Sequence, residues 1–405
     1  MVKHAASPSP ADRQALLADH RRLKMARSAH AYVRGSTEKF YQWLEARGDH
    51  GLPRGPPVWI CGDCHLGNLG PVASAAGEVE VQIRDLDQTV IGNPAHDLIR
   101  LGLSLATAAR GSDLPGVTTA SMLEEMMAGY QAAVGGEGET GGPSKRPRAI
   151  DAALNRSIAR RWRDLAQARI EDVLPRIARG TRFWDLGEDE SAALAELFST
   201  DDVQRMVTAL KSRDADADVS LIDAAYWMKG CSSLGRLRYA ALVGVGGSPG
   251  RAEELCLIDV KEAVQPAAPR YPDAVMPRVN AERVVAGARA LSPHLGERML
   301  AGRLLGRSVV LRELRPQDLK LEIDTLSREE AKAASHYLGA VVGRAHGGQM
   351  APEVGAEWRA DLFRRWPKGL DAPFWLWSSI VDLVASHEAA YLEHCRRYAL
   401  AEHAA

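Results

Sequence analysis

An α+β chain of two lobes is the fold class that the sequence predicts: a small antiparallel β lobe and a large, mainly helical one. Three observations carry it. Alternating β-type segments cluster between about residues 216 and 322; segments of helical period flank that block over 1–215 and 323–405; and a Gly/Asp/Asn-bearing loop at 59–70 sits among the helical material, outside the β block. No internal repeat is visible.

From Ala11 to Leu44 the pattern is helical, interrupted at Arg34-Gly35-Ser36, where Ser36 fits an N-cap. GLPRGPP (51–57) breaks the helix. VWIC (58–61) then reads as a short buried strand, GDCHLGNLG as a loop and VEVQIRD (79–85) as an alternating strand, the two strands together forming a hairpin around Gly77. Helices are expected over about 97–109 and 119–134, with a polar, glycine-rich loop at 135–148. Residues 150–179 read as one basic helix carrying Arg156, Arg160, Arg161, Arg163 and Arg169, either a solvated face or a surface for an anionic substrate. RLRYAALVGV (236–245) and ELCLIDVKEAV (254–264) form a hairpin signature, RVNAERVVAGARAL contains a helix over 280–291, and RSVVLREL (307–314) is a strand. A long helix over 329–346 ends at Gly347-Gly348, and 356–401 is helical.

The 405 residues suffice for two or three ordinary domains or one bilobal unit. Hydrophobic residues at 46% and charged residues at 25% fit a globular chain, and a net charge of −1 exerts no global pull on nucleic acid or membrane. No apolar run approaches the ~20 residues that cross a bilayer, and the first twenty residues lack the apolar core of a signal peptide. A cytoplasmic protein is the expectation. The five cysteines, Cys61, Cys64, Cys231, Cys256 and Cys395, follow no framework and should be free thiols. Cys61-x-x-Cys64-His65 matches a haem attachment pattern, yet that chemistry follows export. A redox dithiol would open a helix, whereas Gly67, Gly70 and Pro71 follow here.

Without its cysteines, the loop reads Gly62, Asp63, His65, Asn68, and Asp85 and Asp87 stand at the end of the next strand. Phosphoryl transfer from ATP needs such a set: a carboxylate to orient the acceptor hydroxyl, and an amide oxygen and second carboxylate to hold Mg²⁺ against the phosphates. The motif resembles that of the aminoglycoside and choline phosphotransferase branch of the protein-kinase-like superfamily, with Cys61 in place of the usual histidine before Gly-Asp. The resemblance implies a bilobal kinase-like fold, ATP and Mg²⁺ as cofactors, and a small-molecule acceptor that the basic stretch suggests is anionic. Asp63 would be the catalytic carboxylate with His65 beside it; for His65 a purely structural role stays open. Asn68 and Asp85 would hold the metal, with Asp87 as sharer or substitute. Asp97 would cap its helix and brace the loop.

The β block would grip the nucleotide. Gly230, Ser232, Ser233, Gly235 and Arg236 form a turn able to offer N–H groups to phosphate, Lys261 would reach the α/β-phosphates, and Glu282 on the following helix would aim Lys261. Residues around Leu311–Leu314 would form the adenine-side connection. In ordinary kinases this half precedes the catalytic loop; here it follows, which circular permutation explains. The blocks KMARSAHAYVRGS, GDCHLGNLG, IRDLDQT, SSLGRLRY and LIDVKEA also resemble the bacterial family catalogued as domain of unknown function 2252, over roughly residues 20 to 400. Two other readings stay open. One is a nucleotide-binding scaffold without turnover. The other is a metal-dependent phosphohydrolase, although the D-x-H and G-N-H-E partners of that signature are missing.

Overall fold

The computed structural model describes residues 8–48, 51–111, 116–136, 146–160, 170–171, 176–210, 213–230, 234–246, 254–318, 327–364 and 373–398. It opens with helices α1 (Arg13–Ala26), α2 (Ala29–Gly35) and α3 (Thr37–Arg47). A second break, unexpected from sequence, separates α1 from α2: Ser28 is extended and its hydroxyl caps α2 by accepting the Ala31 N–H at 3.1 Å. Ser36 does separate α2 from α3, but its hydroxyl donates back to the Val33 carbonyl and does not cap α3.

Strands β1 (Val58–Ile60), β2 (Leu69–Ala73), β3 (Val79–Ile83) and β4 (Val90–Gly92) form two antiparallel pairs. The hairpin around Gly77 joins β3 to β2, while β1 pairs with β4. The expected pairing of 58–61 with 79–85 is therefore corrected. Leu69–Ala73 is itself extended, and a five-residue turn closes it on β3 directly, whereas β1 would have to reach across the intervening loop.

Helices α4 (Pro94–Gly111), α5 (Gly116–Val134) and α6 (Arg148–Ala159) follow. The basic helix expected over 150–179 ends at Ala159; β5 (Ile170–Glu171) pairs with β6 (Arg176–Ile177), and Arg161, Arg163 and Arg169 lie outside the described residues. After β7 (Phe183–Trp184) come α7 (Glu188–Phe198) and α8 (Asp201–Thr208). Next are β8 (Val219–Trp227), β9 (Arg238–Val245), β10 (Glu254–Glu262), α9 (Asn280–Leu291), the short α10 (Pro293–Gly296), β11 (Met299–Leu304) and β12 (Arg307–Leu314). The chain closes with α11 (Arg328–Gly347), α12 (Pro352–Arg364) and α13 (Phe374–Tyr398). No described helix is long and apolar enough to cross a membrane. The fold is α+β, as expected.

The main sheet is antiparallel throughout, in the order β11-β12-β10-β9-β8-β7. Period-two alternation divides β10 between its faces. Cys256, Ile258 and Val260 pack with Leu17 of α1 and with Leu194, Phe198 and Val203 of α7 and α8, whereas Asp259 and Lys261 point the other way. Most of the helices share a separate apolar core with β1–β4 and α9.

Within that core α5 and α11 touch backbone to backbone. A Cβ on Gly339 would stand 2.0 Å from the Met126 carbonyl oxygen, and one on Gly343 2.5 Å from that of Tyr130; Gly347 lies against Val134. Those matches ascend together, so the helices run parallel along a Gly339-x-x-x-Gly343-x-x-x-Gly347 stripe. This contact sets His346 against Tyr130, which matters to the loop described next.

Candidate active site

The loop between β1 and β2 is held from behind by fully buried groups. Asp97, in the first turn of α4, accepts the N–H of Cys61 at 2.7 Å and of Gly62 at 2.9 Å. Its Oδ2 also meets His346 Nε2 at 3.2 Å, His346 Nδ1 faces Tyr130 Oη at 3.1 Å, and Trp358 Nε1 donates to that oxygen at 2.9 Å. So Asp97 braces the loop as its sequence position implies. It does not cap its helix: Asn93 does, through Oδ1 and the Ala95 N–H at 3.0 Å. Gly62 adopts φ +74°, and a side chain there would meet the Gln88 carbonyl at 2.2 Å, so the turn into Asp63 requires glycine.

Asp63 is thereby presented at a cavity of about 470 Å³. Arg100 Nε donates to its Oδ1 at 2.8 Å and Thr37 Oγ1 to its Oδ2 at 2.9 Å, while Asn68 Nδ2 donates to its backbone carbonyl at 3.0 Å. His65 Nε2 lies 3.9 Å from Asp63 Oδ2. The β2–β3 hairpin explains the spacing between Asn68 and Asp85: the Arg84 N–H donates to the Asn68 carbonyl at 2.7 Å, so both residues stand at the open end of one ladder.

The opposite wall comes from the sheet. Lys261 Nζ pairs with Asp85 Oδ1 at 3.3 Å and with the Asp87 carboxylate. Beside it, Arg238 makes two bonds to Asp259, at 2.9 and 2.6 Å, and Arg312 approaches the same carboxylate at 3.7 Å. Asp63, Asn68, Asp85, Asp87 and Lys261 line one cavity, in which basic side chains outnumber acidic ones.

Burial pushes the Asp85 carboxyl upward, but Lys261, Arg238 and Arg312 together hold it well below the usual carboxylate range. It remains ionised with 43% of its side chain open to the cavity, although protein encloses the site. Asp87 moves the other way, raised by burial and by the Asp85 charge against the pull of Lys261. Burial, helped by Arg100 and Arg34, brings His65 down to about 3, so its imidazole is neutral at physiological pH. The Cys61 and Cys64 thiols are free and fully buried. The hydrogen bond that the Cys61 thiol donates to Cys64, together with burial, raises Cys61 well above the ordinary thiol value, the reverse of what redox chemistry needs.

Two expectations meet a different arrangement. Glu282 stands exposed in the first turn of α9, so the Lys261–Glu282 pair does not form. The residue that α9 turns inward is Arg283, which donates to the carbonyls of Asp87 (3.1 Å), Val264 (2.9 Å) and Thr89. Helical phase decides this, since one position is 100° of rotation. In the glycine turn, Gly230 borders the main cavity, Gly235 and Arg236 line a second cavity of about 640 Å³, and Ser232 and Ser233 lie outside the described residues. Thr37 lay in no motif; Arg100, Arg238, Asp259 and His346 fall inside blocks shared with the family (DLIRL, SSLGRLRY, LIDVKEA and the RAHG helix end), but nothing in those blocks gave them a role at the site.

Among the described residues no cluster of three His, Cys, Asp or Glu side chains forms a metal cage. Asn68 and Asp85 nevertheless supply hard oxygens of the kind Mg²⁺ takes, with one or two protein ligands and phosphates completing its shell. No curated protein matches this chain, and no solved structure does. A family model matches residues 13–397, nearly the whole length, and the chain belongs to that family, described as "Uncharacterized protein conserved in bacteria (DUF2252)".

Proposed function

We propose that the protein is an ATP-dependent phosphotransferase of circularly permuted, kinase-like architecture that acts on a hydroxyl of a small-molecule acceptor. The observation that carries this reading is the sharing of one cavity by Asp63, Asn68, Asp85 and Lys261, groups that reach it from opposite walls and from stretches nearly two hundred residues apart. The sheet order and β10–α9–β11–β12 succession support the nucleotide-binding half. The seating of the end of α11 against β1, where an unpermuted chain would run on into the loop, supports the permutation.

Asp63 orients the acceptor hydroxyl. Arg100 and Thr37 fix its carboxylate in place, so the hydroxyl meets a preset direction. Asn68 and Asp85 would hold Mg²⁺, which when bound neutralises charge on the phosphates. The ionised, open state of Asp85 favours it over Asp87 as the main ligand; Asp87 is occupied by Lys261 and has its backbone carbonyl pinned by Arg283. Lys261 aligns the phosphates and is itself positioned by these two aspartates. His65, neutral and buried, shapes the loop and lends no charge. The excess of basic groups in the wall suits a polyanionic ligand.

The test is calorimetric titration of the full chain with Mg²⁺ and a non-hydrolysable ATP analogue, followed by an ATP-consumption screen over a metabolite panel. Binding with consumption by one acceptor class supports the proposal. Binding without consumption across a broad panel supports the scaffold reading, and no binding removes both.

A further inference from the structure

Arg34, in the last turn of α2, borders the cavity beside the loop that carries Asp63 and Asn68. Its guanidinium lies against Gly67: a Cβ built there would come within 2.8–3.0 Å of Arg34 Cζ, Nη2 and Nε. The loop can accept this approach only because residue 67 has no side chain. Arg34 is half-buried, and its Nε is sealed from solvent with no acceptor. Among the described residues nothing forms a hydrogen bond or ion pair with this guanidinium.

The other arginines around the loop are engaged. Arg238 grips Asp259, Arg312 donates to the Arg84 carbonyl, Arg84 donates to the Asp318 carbonyl, and Arg100 holds Asp63. Sealing the Arg34 Nε–H from solvent without an acceptor is costly to fold, and position near a helix C-terminus offsets only part of that cost. Arg34 lines the same cavity as Asp63, Asn68 and Asp85, and its guanidinium lies against Gly67, within the loop that carries Asp63 and Asn68.

We propose that Arg34 is a catalytic residue that binds the γ-phosphoryl group during transfer, an inference that rests on the phosphotransferase reading. In the step, the acceptor oxygen forms a bond to the γ-phosphorus while the bond from that phosphorus to the β–γ bridging oxygen breaks. The bridging oxygen keeps the electron pair and leaves with ADP, and the hydroxyl proton passes to Asp63. Charge spreads over the three non-bridging oxygens of the group in flight, and a planar guanidinium can bind two of them at once.

Titration of wild type, Arg34→Ala and Arg34→Lys with Mg-ADP and with Mg and a non-hydrolysable ATP analogue tests this, with thermal melting alongside. Wild type should favour the analogue. Arg34→Ala should lose roughly tenfold or more in analogue affinity, the scale of a charge-assisted contact, while ADP affinity stays within about twofold. Arg34→Lys should keep part of the preference. An alanine variant that retains the full preference overturns the inference, as do equal losses for both ligands with a lowered melting midpoint, which mark a structural arginine. Wild-type protein that binds neither nucleotide removes the phosphotransferase reading itself, and this inference with it.

Discussion

Gln349, two residues beyond α11, clasps the peptide of Trp59 in β1: its Oε1 accepts the Trp59 N–H at 2.8 Å and its Nε2 donates to the Trp59 carbonyl at 3.0 Å. The same amide also reaches the Ala345 carbonyl at 2.8 Å. The end of a late helix is thereby fastened to the strand that feeds the Asp63 loop, 290 residues earlier in the chain. Just before Gln349, at the end of α11, His346 makes the second fastening through Asp97. Spatial order around the loop is thus independent of chain order.

Gln349→Ala should destabilise the fold by about 1–3 kcal/mol, because it strands the N–H and carbonyl of a half-buried peptide. Urea unfolding with an unchanged slope measures this. A variant as stable as wild type would mean that water replaces the clasp without loss.

His346→Phe keeps ring volume but leaves the fully buried Asp97 without its imidazole partner. Loss of one hydrogen-bond donor to a buried carboxylate costs about 1–3 kcal/mol. The effect should be partly non-additive with Tyr130→Phe, since Tyr130 touches the same imidazole. A double-mutant cycle showing full additivity would contradict this coupling through His346.

Gly339→Ala places a methyl where the Met126 carbonyl lies only 2.0 Å away, so one helix must move. The expected loss is at least about 1–3 kcal/mol by thermal or urea unfolding. Because α11 carries His346, the displacement should also reach the Asp63 loop, visible as faster amide exchange at Cys61 and Gly62.

Lys261→Met removes the cation shared by Asp85 and Asp87 and should weaken Mg-ATP binding about tenfold or more. On the proposed reading Asp63 would face the acceptor, so Asp63→Ala should abolish transfer while nucleotide affinity stays within a few-fold. Equilibrium binding and turnover, measured on both variants, separate the two roles; unchanged nucleotide affinity in Lys261→Met would place the nucleotide elsewhere.

Much of this architecture was legible from local pattern. A hairpin signature around a glycine turn marked β9 and β10, a β-branched apolar run marked β12, and helical period marked α9 and α11, the latter with a glycine stop. Residue type and spacing marked Asp63, Asn68, Asp85 and Lys261, which come to one cavity. What escaped depends on groups that meet only in three dimensions. Arg283 replaces Glu282 as the inward residue of α9 because the phase of a helix is set by packing, and the two differ by a single position. The β1–β4 pairing escaped because both strands have only three residues, too few to show alternation. Arg100 and His346 lie in apolar helices and look like interruptions until their partners are seen.

The pH dependence of stability follows from two buried histidines. Burial first, then the charges of Arg100 and Arg34, bring His65 to about 3, and burial with Arg100 brings His387 to about 4. In the unfolded chain both titrate near 6.5. Between those values the unfolded state binds protons that the folded state refuses, so stability falls as pH drops below 6.5 toward 4. The slope is about 1.4 kcal/mol per pH unit for each such histidine. His65→Gln should be less stable or similar at pH 7.5, yet lose less stability than wild type between pH 6.5 and 4.5. Urea titrations at three pH values across that window measure the difference. Parallel curves for variant and wild type would show that His65 takes up its proton in the folded state, and with it that the loop beside Asp63 carries an imidazolium able to meet a phosphate.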